Sequence, residues 1–255
     1  MTDPRAVHRN WRDSDSYLGH DNAIVWPVFM PPAEDDSRPH RCLTHLNGFA
    51  GHSLQGGKST DYHAHANAEQ YYYILSGNAE VRIEDSYYPV QEGSVAYFPP
   101  GVHHQLIGKD NPDWMQYLII TCPASEDMLA EGQPRSEPRV LNWRDSSPEM
   151  GNFGKAVTWQ LLERLDKNNP STEQPCLLAF WYLARGSLSK GHASAYHQHD
   201  DKEQIYYVLE GEGSLVAGAD AFHVREGDTV YLPRGVAHMI LNDRHQDWLS
   251  YLVVS

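Results

Sequence analysis

Short apolar runs rich in aromatic and β-branched residues recur along this chain, each closed by glycine or by a proline–glycine turn. QYYYILSG (70–77) and QIYYVLEG (204–211), SVAYFPPG (94–101) and TVYLPRG (229–235), and DWMQYLIIT (113–121) and DWLSYLVVS (247–255) all read as strands. Helical periodicity is weak. A short helix is expected in SEDMLAEG (125–132), and a turn of helix around 159–165. The segment 122–139 is polar, holds three prolines and reads as a linker. The pattern predicts an all-β protein.

These runs come in pairs at one spacing. His63 and His197, His65 and His199, Gln70 and Gln204, Gly77 and Gly211, and His104 and His238 are each 134 residues apart (197 − 63 = 134). The same offset relates Gly93 to Gly227, Pro99 to Pro233, Gly101 to Gly235, Trp114 to Trp248 and Cys42 to Cys176. Near the start it slips by two, where NWRD at 10–13 matches NWRD at 142–145. About 115 residues recur almost without insertion, so the chain is a duplication. It divides into a first unit at 1–125, a linker at 126–139 and a second unit at 140–255.

Each unit resembles the cupin superfamily, whose motifs are G-x5-H-x-H-x3/4-E-x6-G and G-x5-P-x-G-x2-H-x3-N. Gly57, His63, His65, Gly77, Gly93, Pro99, Gly101 and His104 match in the first unit. Gly191, His197, His199, Gly211, Gly227, Pro233, Gly235, His238 and Asn242 match in the second. Gly108 stands where the family has Asn. The resemblance implies two tandem jelly-roll (double-stranded β-helix) barrels, each with a metal held by three histidines. It therefore implies up to two divalent ions per chain; imidazole suits Fe, Mn, Ni, Zn or Cu, and nothing selects among them. In a strand, His-x-His points two imidazoles to one face, and the later histidine reaches them from a strand across the barrel.

The family's glutamate is shifted. Seven residues before the closing glycine stand Gln70 and Gln204, with Glu69 and Glu203 one residue earlier. A one-residue step turns a side chain to the opposite face, so Gln is expected in the barrel unless a bulge presents Glu instead. The expected ligand sets are thus His63, His65, Gln70 and His104, and His197, His199, Gln204 and His238. Tyr72 and Tyr206 share the face of the glutamines and are candidates to line the cavity and exchange protons. Asp61 shares the face of His63 but matches Ala195, so any acid–base role there belongs to the first unit alone.

The remaining histidines (His8, His20, His40, His45, His52, His103, His192, His223 and His245) lack the motif spacing and are expected at the surface or in hydrogen bonds. Trp11/Trp143, Trp26/Trp159 and Trp114/Trp248 recur as pairs and are expected in core packing; Trp181 has no counterpart. A net charge of −14 argues against a nucleic-acid partner and an anionic membrane surface. No apolar run approaches the ~20 residues of a membrane span, and the first residues lack a leader's apolar core. Three cysteines cannot form a disulfide framework, so a cytoplasmic protein is expected. The partner is a small-molecule substrate, and a homodimer is left open. Three functions remain: a Lewis-acid isomerase or lyase, an Fe(II) dioxygenase, or a ligand-binding protein without turnover.

Overall fold

The computed structural model describes residues 5–109, 113–131, 133, 136–151, 153–165, 175–244 and 246–255. His245 and part of the linker lie outside them. Two large, predominantly antiparallel sheets each face a three-stranded sheet, which makes two jelly-roll barrels. In the first barrel the large sheet is built around Ala68–Ser76, which lies between Trp114–Pro123 and Ser94–Phe98. The small sheet pairs Asn78–Ile83 with Ser86–Gln91 and His104–Gly108. In the second barrel Gln204–Glu210 lies between Leu249–Val254 and Asp228–Leu232, and Glu212–Ala217 pairs with Asp220–Arg225 and His238–Leu241.

The aromatic run of the central strand is uninterrupted because both of its faces are buried. Tyr72 and Ile74 face the barrel interior, where they pack with Leu106, Tyr117 and Ile119. Tyr71 and Tyr73 face away, into the largest apolar cluster, which joins Phe29, Leu46 and Phe49 of the first unit to Phe180, Leu183 and Leu252 of the second. The two large sheets thus back onto one another, and the interface between barrels is itself a hydrophobic core.

The units also exchange their leading strands. Val7–Asn10 pairs with Asp228–Leu232 of the second barrel, and Arg139–Asn142 pairs with Ser94–Phe98 of the first. Each NWRD turn then docks on a glycine of the other unit. Gly227 has φ +82°, and a Cβ there would come within 2.9 Å of Trp11; the Gly93 counterpart would meet Trp143 at 2.4 Å. The unit boundaries expected at 125/126 and 139/140 follow chain order, whereas strand pairing crosses them in both directions.

The short helix forms at Glu126–Leu129, capped by Ser125, whose side chain accepts from the Met128 N–H. The turn of helix expected around 159–165 does not form: Val157–Arg164 is a strand paired with Tyr182–Leu188. Sheet pairing overrides the local pattern there. Trp11 and Trp26 pack edge to face at 5.0 Å, as Trp143 and Trp159 do at 5.2 Å. Trp114 and Trp248 do not join a core. They are 46% and 47% exposed; Trp114 opens the strand Trp114–Pro123, and Trp248 directly precedes the strand Leu249–Val254. Repetition at those positions preserves a surface feature.

Candidate metal centres

Each histidine triad is assembled by a backbone bridge. His63 N–H donates to the His104 carbonyl (3.2 Å) and His104 N–H to the His63 carbonyl (2.8 Å); His197 and His238 repeat this at 3.1 and 2.7 Å. The first and third imidazoles are therefore neighbours across an isolated β-bridge, and the second reaches them from two residues along. Ring centroids of His63, His65 and His104 are 4.9, 4.6 and 5.7 Å apart; those of His197, His199 and His238 are 4.9, 4.5 and 5.8 Å apart. Within each triad the ligating nitrogens lie within 4.8 Å of one another. Two independent stretches of chain thus build the same arrangement.

The unsatisfied atoms fit a cation. Nδ1 of His104, His197 and His238 lies 2.9–3.0 Å from a backbone carbonyl two residues earlier, which fixes the proton on Nδ1. Nε2 is then a bare lone pair. Among the described residues, Nε2 of His63, His65, His199 and His238 is buried with no hydrogen-bond partner, as is the Gln204 amide oxygen. His104 is more telling. Its Nδ1 faces the Val102 carbonyl at 3.0 Å and its Nε2 faces the Gln70 amide oxygen at 3.2 Å. Burial pushes its pKa down to about 3, so the ring is neutral and has one proton for two acceptors. A cation beside Nε2 and the amide oxygen removes that conflict. Burial likewise pushes His199 and His238 down to about 4, which keeps them in the form that ligates.

The glutamines are aimed by their amide nitrogens. Gln70 donates to the Thr121 hydroxyl at 2.9 Å, which leaves its amide oxygen 3.2 Å from Nε2 of His104; Gln204 donates to the Tyr182 hydroxyl. The neighbouring carboxylates point the other way, into the interface between barrels. Glu69 accepts from the backbone N–H groups of Leu178, Ala179 and Phe180 (2.9, 2.6 and 2.5 Å) and from the Tyr97 hydroxyl (2.5 Å). Glu203 accepts from those of Thr44, His45 and Leu46 (2.8, 2.9 and 2.8 Å) and from the hydroxyls of Thr44 and Tyr231. Burial pushes the Glu69 carboxyl up. At Glu203 burial acts in the same direction, but the Thr44 hydroxyl and the three N–H donors outweigh it and hold the carboxyl low.

Tyr72 and Tyr206 lie against the triads, with ring centroids 5.8 Å from His104 and 5.7 Å from His238. Complete burial pushes both phenols well above their usual range, so they offer an O–H and not a base. Asp61 sits behind His63: its carboxylate is 3.1 Å from Nδ1 of His63 and 3.1 Å from Nδ1 of His20. It braces the ring from the side away from Nε2. Two histidines without the motif spacing join this barrel. His20 stacks on His63 at 5.3 Å, and His52, pushed down to about 3 by burial, stacks on Tyr117 at 5.2 Å.

Two tandem jelly rolls, each with three converging imidazoles and an amide, define a two-barrel metal-binding protein of the cupin type. The cupin-domain family model matches the chain twice, at residues 52–118 and 185–255, and the chain belongs to that family. An uncharacterised protein of Methanocaldococcus jannaschii is 38% identical over 60 residues, covering 24% of this chain and 48% of its own length. An oxalate-binding protein of Thermotoga maritima is 32% identical over 72 residues, 28% of this chain and 59% of its own. The chain thus spans about half the length of the curated relatives it matches. A solved Pseudomonas aeruginosa protein described as glyoxylate-induced superimposes with TM-score 0.77 at 16% identity, over 100% of this chain and 89% of that one. The oxalate decarboxylase of Lactobacillus farciminis, in a formate complex, gives 0.70 at 16%, over 97% and 85%. At these identities the likeness is one of fold. Among the described residues, no helix is long and apolar enough to cross a membrane.

Proposed function

We propose that the chain is a metal-dependent enzyme that rearranges or eliminates within a small oxygen-rich anion, an isomerase or lyase. The observation that carries this reading is the neutrality of the donor set: three imidazoles and one amide at each triad, with Glu69 and Glu203 held in the interface. A divalent ion among such donors keeps its full charge toward an anionic oxygen, and so acidifies a neighbouring C–H or loosens a neighbouring bond. The names of the oxalate-binding relative and the oxalate decarboxylase neighbours support a carboxylate substrate.

The chain's own residues have distinct tasks. The Nδ1 contacts and the amide donations of Gln70 and Gln204 hold the ligating atoms in direction before anything binds. Tyr72 and Tyr206 present protonated phenols beside the triads, suited to hydrogen-bond a developing oxyanion. In the second barrel, Glu163 lines the same cleft as His197 and Tyr206 and is the carboxylate available to take a proton.

The test is turnover of a panel of keto acids, uronates and phenols by metal-loaded protein in an oxygen-electrode cell. Conversion without oxygen uptake is expected. Uptake stoichiometric with product, and loss of activity without oxygen, would overturn the reading in favour of a dioxygenase. Tight reversible binding without conversion would overturn it in favour of a binding protein.

A further inference from the structure

The two barrels keep the same donors but not the same interior. A cleft of about 530 Å³ opens in the second barrel, lined on its inner side by His197, Tyr206, Tyr251 and Val253. Its outer wall carries Arg164, Trp181 and Lys202. In the first barrel two imidazoles stand beside the matching positions: His20 stacks on His63 at 5.3 Å and His52 stacks on Tyr117 at 5.2 Å. One departure from the repeat lies at this place. Gly186 occupies the place that His52 has in the first barrel (186 − 134 = 52). A Cβ at 186 would come within 2.4 Å of the Tyr251 ring, which leans into that space, whereas the His52 imidazole fills it and stacks on Tyr117.

The outer wall also departs from the repeat. Trp181 and Lys202 take the places that Asn47 and Ala68 hold in the first unit (181 − 134 = 47; 202 − 134 = 68). The Arg164 guanidinium lies 4.0 Å from the centre of the Trp181 ring, and the Lys202 ammonium 4.7 Å from it. Arg164 donates to the Ala179 carbonyl, but its Nε is buried without a hydrogen-bond partner among the described residues. Glu163 is the carboxylate on this wall, against the cations of Arg164 and Lys202.

From this asymmetry we infer that the second barrel is the substrate-binding one, and that its ligand is a carboxylate carrying a flat apolar body of ring size. The inference rests on the metal-and-anion reading above. Clefts of about 300–1,000 Å³ enclose ring-bearing ligands, and a two-carbon dianion would leave most of this one to water. The carboxylate end faces His197; the body lies along Tyr206, Tyr251 and Val253 toward Trp181. Arg164 and Lys202 draw the anion in and hold the indole as the outer wall.

The experiment is calorimetric titration of the Mn-loaded protein with phenylpyruvate and, separately, with oxalate. Both acids can chelate a metal; phenylpyruvate carries the ring and one negative charge, oxalate no ring and two charges, so the comparison sets ring burial against charge. Phenylpyruvate is expected to bind at least about tenfold more tightly, the value of one buried and stacked ring. Trp181→Ala should abolish that preference with oxalate affinity unchanged, and Lys202→Ala should weaken both acids. Metal uptake with oxalate bound as well as or better than phenylpyruvate would overturn the inference and leave the metal-and-anion reading standing. Failure to take up metal, or to bind either acid, would overturn both.

Discussion

The Glu203 carboxylate accepts hydrogen bonds from both the backbone N–H and the hydroxyl of Thr44, at 2.8 and 2.6 Å, across 159 residues of chain. Its repeat partner Glu69 does the same with residues 178–180, so each barrel closes its carboxylate over a loop of the other. The adjacent Glu–Gln pair thereby serves two structures at once, one residue aimed at the interface and the next at the triad.

Replacing Glu203 with Gln puts an amide NH₂ against N–H donors and leaves at least one of them unpaired in a buried site. A loss of about 2–4 kcal/mol in unfolding free energy is expected by urea denaturation, with metal content unchanged. A loss below about 0.5 kcal/mol would show that the interface does not depend on this carboxylate.

Burial pushes His52 and His104 down to about 3 and His199 and His238 to about 4, from an ordinary value near 6.5. As pH falls below about 6.5 the unfolded chain takes up these protons and the folded chain does not. Stability of the metal-free protein is therefore complete above that pH and is lost steadily toward pH 4, by up to about 1.4 kcal/mol per pH unit for each histidine. Urea midpoints at pH 7, 6 and 5 measure this. His52→Gln, at a residue outside the expected ligand set, should flatten the slope.

Much of the arrangement was readable from the sequence because the duplication fixes it. The constant spacing aligned the triads, and strand alternation separated Gln70 from Glu69. The exchange of Val7–Asn10 and Arg139–Asn142 between barrels was not readable, since a four-residue edge strand carries no mark of its partner. Trp114 and Trp248 were misplaced because recurrence alone does not distinguish core from surface. His20 and His52 lack motif spacing and so gave no sign of their place in the first barrel. For the cleft, the visible signs were departures from the repeat: Trp181 without a counterpart, and Gly186 opposite His52.

Asp61 braces His63 at 3.1 Å, and Ala195 occupies the matching place behind His197. A carboxylate on the outer nitrogen of a ligating histidine strengthens binding, so the first site should hold metal more tightly than the second. In a His197→Ala background, where the first site alone is filled, Asp61→Ala should lower metal affinity by roughly 10–100-fold in competition with a chelator. Unchanged affinity would show that Asp61 acts only on His20.

Each triad, with its glutamine, is expected to hold one metal ion independently of the other. Elemental analysis of protein reconstituted with Fe, Mn, Ni, Zn and Cu in turn tests it directly. Two ions per chain are expected in the unaltered protein for at least one of these metals, one in His63→Ala, one in His197→Ala and none in the double variant. No metal bound from any of the five, or two ions retained by the double variant, would contradict it.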